Sequence, residues 1–276
     1  MSAGLQVRPP AVAGAFYPDD AAVLRRALAD CFAAARVEPV DAEREDPARR
    51  TAPKGLIAPH AGYVYSGPVA ASAYACVRPA AGRVQRVVLL GPAHRYALEG
   101  LAVSGADAFA TPLGPVTVDA DARRAVLGHA AVRVLDDAHA GEHSLEVHLP
   151  FLLDVLGPTF RLLPLVVGLA RPDVVAEVLD LVWGGPETLV VVSTDLSHYL
   201  SYEQAARADA ATAAAIAAVD SAGVGDGDAC GAAPLRGLLV AAARRRLAVR
   251  LLDLRSSGDT AGPRDRVVGY GAFAVG

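Results

Sequence analysis

A three-layer α/β/α fold with a central, mostly parallel or mixed sheet is what this sequence predicts, and two features predict it. Short apolar runs of strand length alternate with segments of helical period, and 53% of the 276 residues are hydrophobic, enough to cover both faces of a sheet.

The first helix is expected where Asp19-Asp20 precedes apolar residues at helical spacing, Val23, Leu24, Ala27, Leu28, Cys31 and Phe32. Val37 to Pro53 is rich in Glu, Asp, Arg and Pro, lacks periodicity and reads as an exposed loop. Strands are expected at Gly55–Ala58, Val84–Leu90, Arg161–Val167, Thr188–Val192, Leu247–Leu254 and Val267–Val275. Helical patterns fall at Pro68–Val77, Ala120–Leu127, Ser144–Leu156, Pro172–Trp183, Tyr202–Val219 and Ala232–Arg246. Leu101–Val118 reads as a hairpin turning at Pro112–Pro115. Helices between strands imply crossovers, hence parallel pairing in a sheet covered on both sides. A single domain over residues 1–276 accommodates the pattern.

Composition excludes several classes of function. The formal charge is −4 with no large basic block, so nucleic acid is not an expected partner. The longest apolar runs, such as Leu162–Ala170, fall short of the ~20 residues that span a bilayer, and no signal-like stretch opens the chain. No membrane association and a cytoplasmic location are the expectation. Cys31, Cys76 and Cys230 are odd in number and in no CxxC spacing, which argues against a disulfide framework or a thiolate zinc site.

The chemistry concentrates at strand ends. Three apolar runs finish in a histidine: Leu56-Ile57-Ala58-Pro59-His60, Val87 through Leu90 to His94, and Val190 through Ser193 to His198. Ligands bind outside the carboxyl ends of strands in open α/β sheets, and neutral imidazole is a common ligand for zinc, copper and iron. His60, His94 and His198 are therefore the expected metal ligands. Asp195, three residues before His198, is placed either to orient a ligand imidazole, to bind the metal, or to cap a turn. The cluster Glu142-His143-Ser144-Leu145-Glu146-Val147-His148 opens an expected helix and offers His143 as an acid or base, against a plain capping role with solvated carboxylates. His129 and His139 read as incidental surface residues. Cys230 precedes a helix whose dipole would lower its pKa, whereas Cys31 and Cys76 read as inert core thiols.

The segments AVAGAFYP, IAPHAGYVYSG, LLGPAH, EHSLEVHLPF, VVSTDLSHY and the Cys-Gly before the last helix together resemble the Memo family, whose bacterial and archaeal members carry the label AmmeMemoRadiSam system protein B. The likeness runs from about Val12 to the C-terminus. It implies the fold of the class III extradiol ring-cleaving (LigB-type) dioxygenases, a metal site on His60, His94 and His198 with Asp195 and Cys230 beside it, and iron or copper as the ion. Those dioxygenases commonly use two histidines and a glutamate, a set one charge less positive than three histidines.

Three functions stay open from the sequence. The first is a metal-dependent redox protein, an oxygenase on a small substrate with His143 as acid or base. The second is a metal-dependent hydrolase, which zinc would favour. The third is a binding or adaptor protein holding a peptide, a small molecule or partners of its system, a radical-SAM protein and an AMMECR-domain protein.

Overall fold

The computed structural model describes residues 4–36 and 52–276, so the loop expected over Val37–Pro53 lies almost wholly outside the described residues. The chain opens with β1 (Val7–Arg8) and α1 (Ala21–Ala33), whose cap Asp20 accepts hydrogen bonds from the amides of Ala22 and Val23. There follow β2 (Gly55–Ala58), α2 (Tyr63–Ala75), β3 (Arg86–Pro92), β4 (Leu101–Val103), β5 (Ala108–Phe109), β6 (Val116–Thr117), α3 (Ala120–Val126), β7 (Val132–Val134) and α4 (Asp136–Ala140). A 3-10 turn at Glu146–His148 leads into α5 (Leu149–Leu156). The remainder is β8 (Arg161–Val167), α6 (Pro172–Val182), β9 (Thr188–Ser193), β10 (His198–Leu200), α7 (Tyr202–Ala217), α8 (Ala232–Arg244), β11 (Val249–Ser256), α9 (Ser257–Thr260) and β12 (Val267–Val275).

The main sheet runs in the order β10-β12-β2-β9-β3-β8-β4-β7, with β11 also paired to β12. Its centre, β2-β9-β3-β8, is parallel, and antiparallel strands flank it at β12 and β4, so the sheet is mixed. Side-chain alternation along these strands divides the core in two. Leu56, Val87, Leu89, Leu162, Leu189 and Val191 face Leu24, Leu28, Val69, Tyr74 and Phe151 of α1, α2 and α5. Ile57, Val88, Leu90, Leu163, Val190 and Val192 face Val175, Leu179, Ile216, Leu235 and Leu238 of α6, α7 and α8. This is the three-layer arrangement, and burial on both faces is why the central strands read as continuous apolar runs.

Three local expectations change. Leu101–Val118 is not one hairpin: β4 joins the main sheet against β8 and β7, and only β5 and β6 pair around the turn at Thr111–Gly114. The chain breaks after β4 because Asp136 takes the Ser104 hydroxyl and the Gly105 amide. α2 starts at Tyr63 rather than Pro68, since proline in its second turn removes only one donor. The pattern at Ser144–Leu156 divides because Pro150 cannot donate to the preceding turn and instead occupies the first turn of α5. Among the described residues, no helix is long and apolar enough to cross a membrane.

Candidate metal centre

β2, β9 and β3 are adjacent and parallel, so their carboxyl ends open on one crevice. Ala58 is in register with Ser193, which sets His60, two residues beyond Ala58, beside the end of β9. His94 follows β3, and Cys230 comes from the turn before α8. One donor atom from each of His60, His94 and Cys230 lies within 4.8 Å of the other two. The His60 Nε2 to Cys230 Sγ distance is 3.4 Å, and the rings of His60 and His94 meet edge to face at 5.1 Å.

The hydrogen bonds assign both imidazole tautomers. Ser193 Oγ donates to the carbonyl of Ser144 at 2.6 Å, so its oxygen accepts from His60 Nδ1 at 2.5 Å. His94 Nδ1 is 3.0 Å from Glu142 Oε1, and the carboxylate also accepts from the amides of His94, His143 and Ser144. These amides and His94 outweigh the burial of Glu142 and bring its pKa down to about 2, so it accepts only. Both rings are thus held through Nδ1, which leaves Nε2 as the donor atom available to a ligand, and the Cys230 sulfur lies against that of His60. Burial, with the neighbouring imidazoles, holds His60 well below the usual histidine range. Lone pairs converging with a thiol, each ring fixed through its other nitrogen, are the donor set a transition metal needs. Two imidazoles and a thiolate fit iron, copper or zinc.

His198 takes the same tautomer, with Nδ1 2.8 Å from the carbonyl of Leu196, and burial lowers its pKa. It begins β10 on an exposed residue and stands outside the compact donor groups of the described residues, although it interacts electrostatically with His60 and His94. Asp195 touches neither imidazole nitrogen: its Oδ1 accepts from the backbone amide of His60 at 2.8 Å, so it shapes the loop. Burial pushes its carboxyl up to about 7. The orienting part falls to Glu142 and Ser193.

His143 stacks on His94 with ring centroids 4.6 Å apart and lies 5.4 Å from His60. Its Nδ1 is 3.2 Å from Glu142 Oε1 but too poorly aligned to bond, and burial lowers its pKa to about 4. With His94 and Glu142 it forms a second group of donor atoms within 4.8 Å. Phe16 also packs against the His143 ring, with centroids 4.7 Å apart.

The Cys230 thiol does not follow the expected downward shift. Burial and the Asp195 charge push it up to about 12, outweighing the amide of Asp195 aimed at the sulfur from 3.2 Å. The helix dipole argument fails because the thiol is enclosed by Thr194, Asp195 and His60. Gly231 is required beside it: a Cβ there would lie 2.6 Å from the Ser193 carbonyl oxygen.

The sequence reading missed Ser193, whose one signal is a hydroxyl ending an otherwise apolar strand. It also misplaced two groups as solvated. Glu146 is buried, accepting from Arg8, the amides of Ala11 and Val12, and the Tyr17 hydroxyl. His139 is buried, with Nε2 3.1 Å from the Ala102 carbonyl, because Arg8 crosses over it to reach Glu146. Cys31 and Cys76 both carry thiols that burial shifts upward, as inert core thiols should.

A solved structure of an uncharacterized protein from Escherichia coli aligns with a TM-score of 0.52 at 12% identity, covering 78% of this chain and 98% of that one; it is similar in fold. MEMO1 family proteins from Methanopyrus kandleri and Ignicoccus hospitalis are 37% and 36% identical, each over 96% of this chain and over 98% and 97% of their own lengths. One from Aquifex aeolicus is 33% identical over 96% of this chain and 98% of its own. The family profile described as Memo-like protein matches residues 8–274, and with these relatives it makes the chain a member of the Memo family.

Proposed function

We propose that the protein is a metal-dependent redox protein, with His60, His94 and Cys230 holding iron or copper and a small molecule as substrate. The observation that carries the reading is the convergence of one donor atom each from His60, His94 and Cys230 within 4.8 Å. A thiolate in the third place gives the formal charge of two histidines and a carboxylate, the set of oxygen-activating iron sites, which three imidazoles would not give. The ion would supply the one-electron chemistry that these side chains lack.

The chain's own residues do the rest. Glu142 and Ser193 fix the two rings, which limits rearrangement of the site. His143, neutral at pH 7 and stacked on His94, offers a ring nitrogen as a proton acceptor beside the site. Phe16 packs on the His143 ring and limits its rotation.

The test is elemental analysis of protein purified without added metal, followed by oxygen uptake of the iron(II) and copper(I) forms. Iron or copper near one equivalent, lost in His60→Ala and His94→Ala and reduced in Cys230→Ser, with oxygen uptake falling alongside, is expected. Zinc in the purified protein, with ester cleavage and no oxygen uptake by the iron or copper forms, would replace this reading with a hydrolase.

A further inference from the structure

A cavity of about 760 Å³ opens outside the ends of β3 and β8, and Cys230 lines it. Its volume suits a small organic molecule. Most of the wall is apolar, and two wall residues, Tyr96 and Leu169, are large apolar side chains left 39% and 81% exposed. Exposure of this kind on a concave wall marks a surface that gains by being covered.

Against this apolar background stands one cation. Arg236, one turn into α8, is the single cationic side chain of the lining among the described residues. Its side chain is only 21% exposed, while its carboxylate partner Asp226 is 91% exposed. The pairing is unequal: the guanidinium sits in a partly dry wall, and its counter-ion belongs mostly to water. An exposed ion pair is weak and easily exchanged, whereas a ligand carboxylate inside the cavity would meet the same guanidinium with less water around it. Glu99, the other acid of the lining, is exposed and solvated.

We propose that this cavity is the substrate site, that Arg236 is its anchor for a carboxylate, and that Asp226 holds the guanidinium until the substrate displaces it. The substrate class is a small monocarboxylate with an apolar, ring-sized body. The body lies on Tyr96, Leu98, Leu169 and Pro234, and the end remote from the carboxylate faces Cys230. One guanidinium in a wall that also carries two acids selects a monoanion over a phosphate dianion, which would be undercompensated. The assignment of the reacting end rests on the proposed metal reading; the carboxylate anchor does not.

The experiment is calorimetric titration of the full chain with benzoate, phenyl phosphate and benzamide, with metal content measured on every variant. Benzoate should bind more tightly than either analogue. Arg236→Gln should weaken benzoate about tenfold or more, the usual worth of a hydrogen-bonded ion pair, without changing benzamide. Asp226→Asn should tighten benzoate by about two- to fivefold, because an exposed competitor of modest strength is gone; a merely structural Asp226 would not do this. Metal content should be the same in both variants. Absence of saturable benzoate binding, tighter binding of phenyl phosphate, or loss of benzoate in Cys230→Ser with none in Arg236→Gln would overturn the proposal. Benzoate binding that depends on Arg236 in protein that takes up no metal would retain the anchor and reject the metal reading instead.

Discussion

The Nε2 of His60 and the sulfur of Cys230 lie 3.4 Å apart although 170 residues separate them in the chain. Their meeting depends on β9, the strand beside β2, whose last residue Ser193 holds the His60 ring and whose following residues Thr194 and Asp195 hold the turn that carries Cys230. Parallel pairing of two strands distant in sequence thus creates the donor pair.

The first prediction concerns the groups behind the donors. Glu142→Gln removes the carboxylate on His94 and permits the ring to flip or change tautomer, and Ser193→Ala does the same for His60. Each should weaken metal affinity by about 10- to 100-fold, the usual effect of losing such a partner, while circular dichroism stays unchanged. Competition with a chromophoric chelator measures it, and unaltered affinity in both variants would mean that these bonds do not orient ligands.

Glu146 should matter for stability more than for chemistry. Its carboxylate is fully enclosed and accepts four hydrogen bonds, including one of 2.7 Å from Arg8. Glu146→Ala strands the Arg8 charge and should cost about 3–5 kcal/mol in urea unfolding. The double variant Arg8→Met/Glu146→Met should lose less than Glu146→Ala alone, since no charge is left unpaired. Equal losses would show that the cost comes from packing.

These two cases show what was legible in the sequence and what was not. The central strands were readable because burial on both faces makes Leu162–Val167 and Leu189–Val192 uninterrupted apolar runs. His60 and His94 were readable because each follows such a run. Cys230 follows no strand, so strand ends did not point to it and only the family resemblance set it beside the site; its place depends on the turn before α8 docking on β9. The burial of Glu146 was likewise invisible, because its partner Arg8 is 138 residues away. Long-range polar pairings leave no local period to detect.

Acid should destabilise the fold through His139 and His148. Burial lowers them to about 4 and about 3, against about 6.5 in an unfolded chain. Between those values the unfolded chain binds protons that the folded one refuses, so stability is full above about pH 6.5 and falls as the pH drops toward the folded values. From pH 7 to pH 5 each site should remove about 2 kcal/mol. Replacing His148 by Asn should reduce the slope of urea-unfolding free energy against pH by one site, and an unchanged slope would mean that His148 is not buried neutral.

Proton release on metal binding separates the donor set seen in the fold from the one expected from strand ends. Burial pushes the Cys230 thiol up to about 12, so at pH 7 it enters the site protonated and must lose its hydrogen to act as a ligand. His60 and His198 both sit below the usual histidine value and arrive at pH 7 without a proton to lose. Exchanging Cys230 for His198 as third donor therefore changes the count by one proton. Calorimetric titration with a metal in buffers of different ionisation enthalpy should give one more proton released by the wild type than by Cys230→Ser. His198→Ala should release as many as the wild type. Affinity should also rise as the pH is raised above 7, because the Cys230 thiol still holds its proton there. If Cys230→Ser releases as many protons as the wild type and His198→Ala loses the ion, the metal rests on three histidines and Cys230 only lines the pocket.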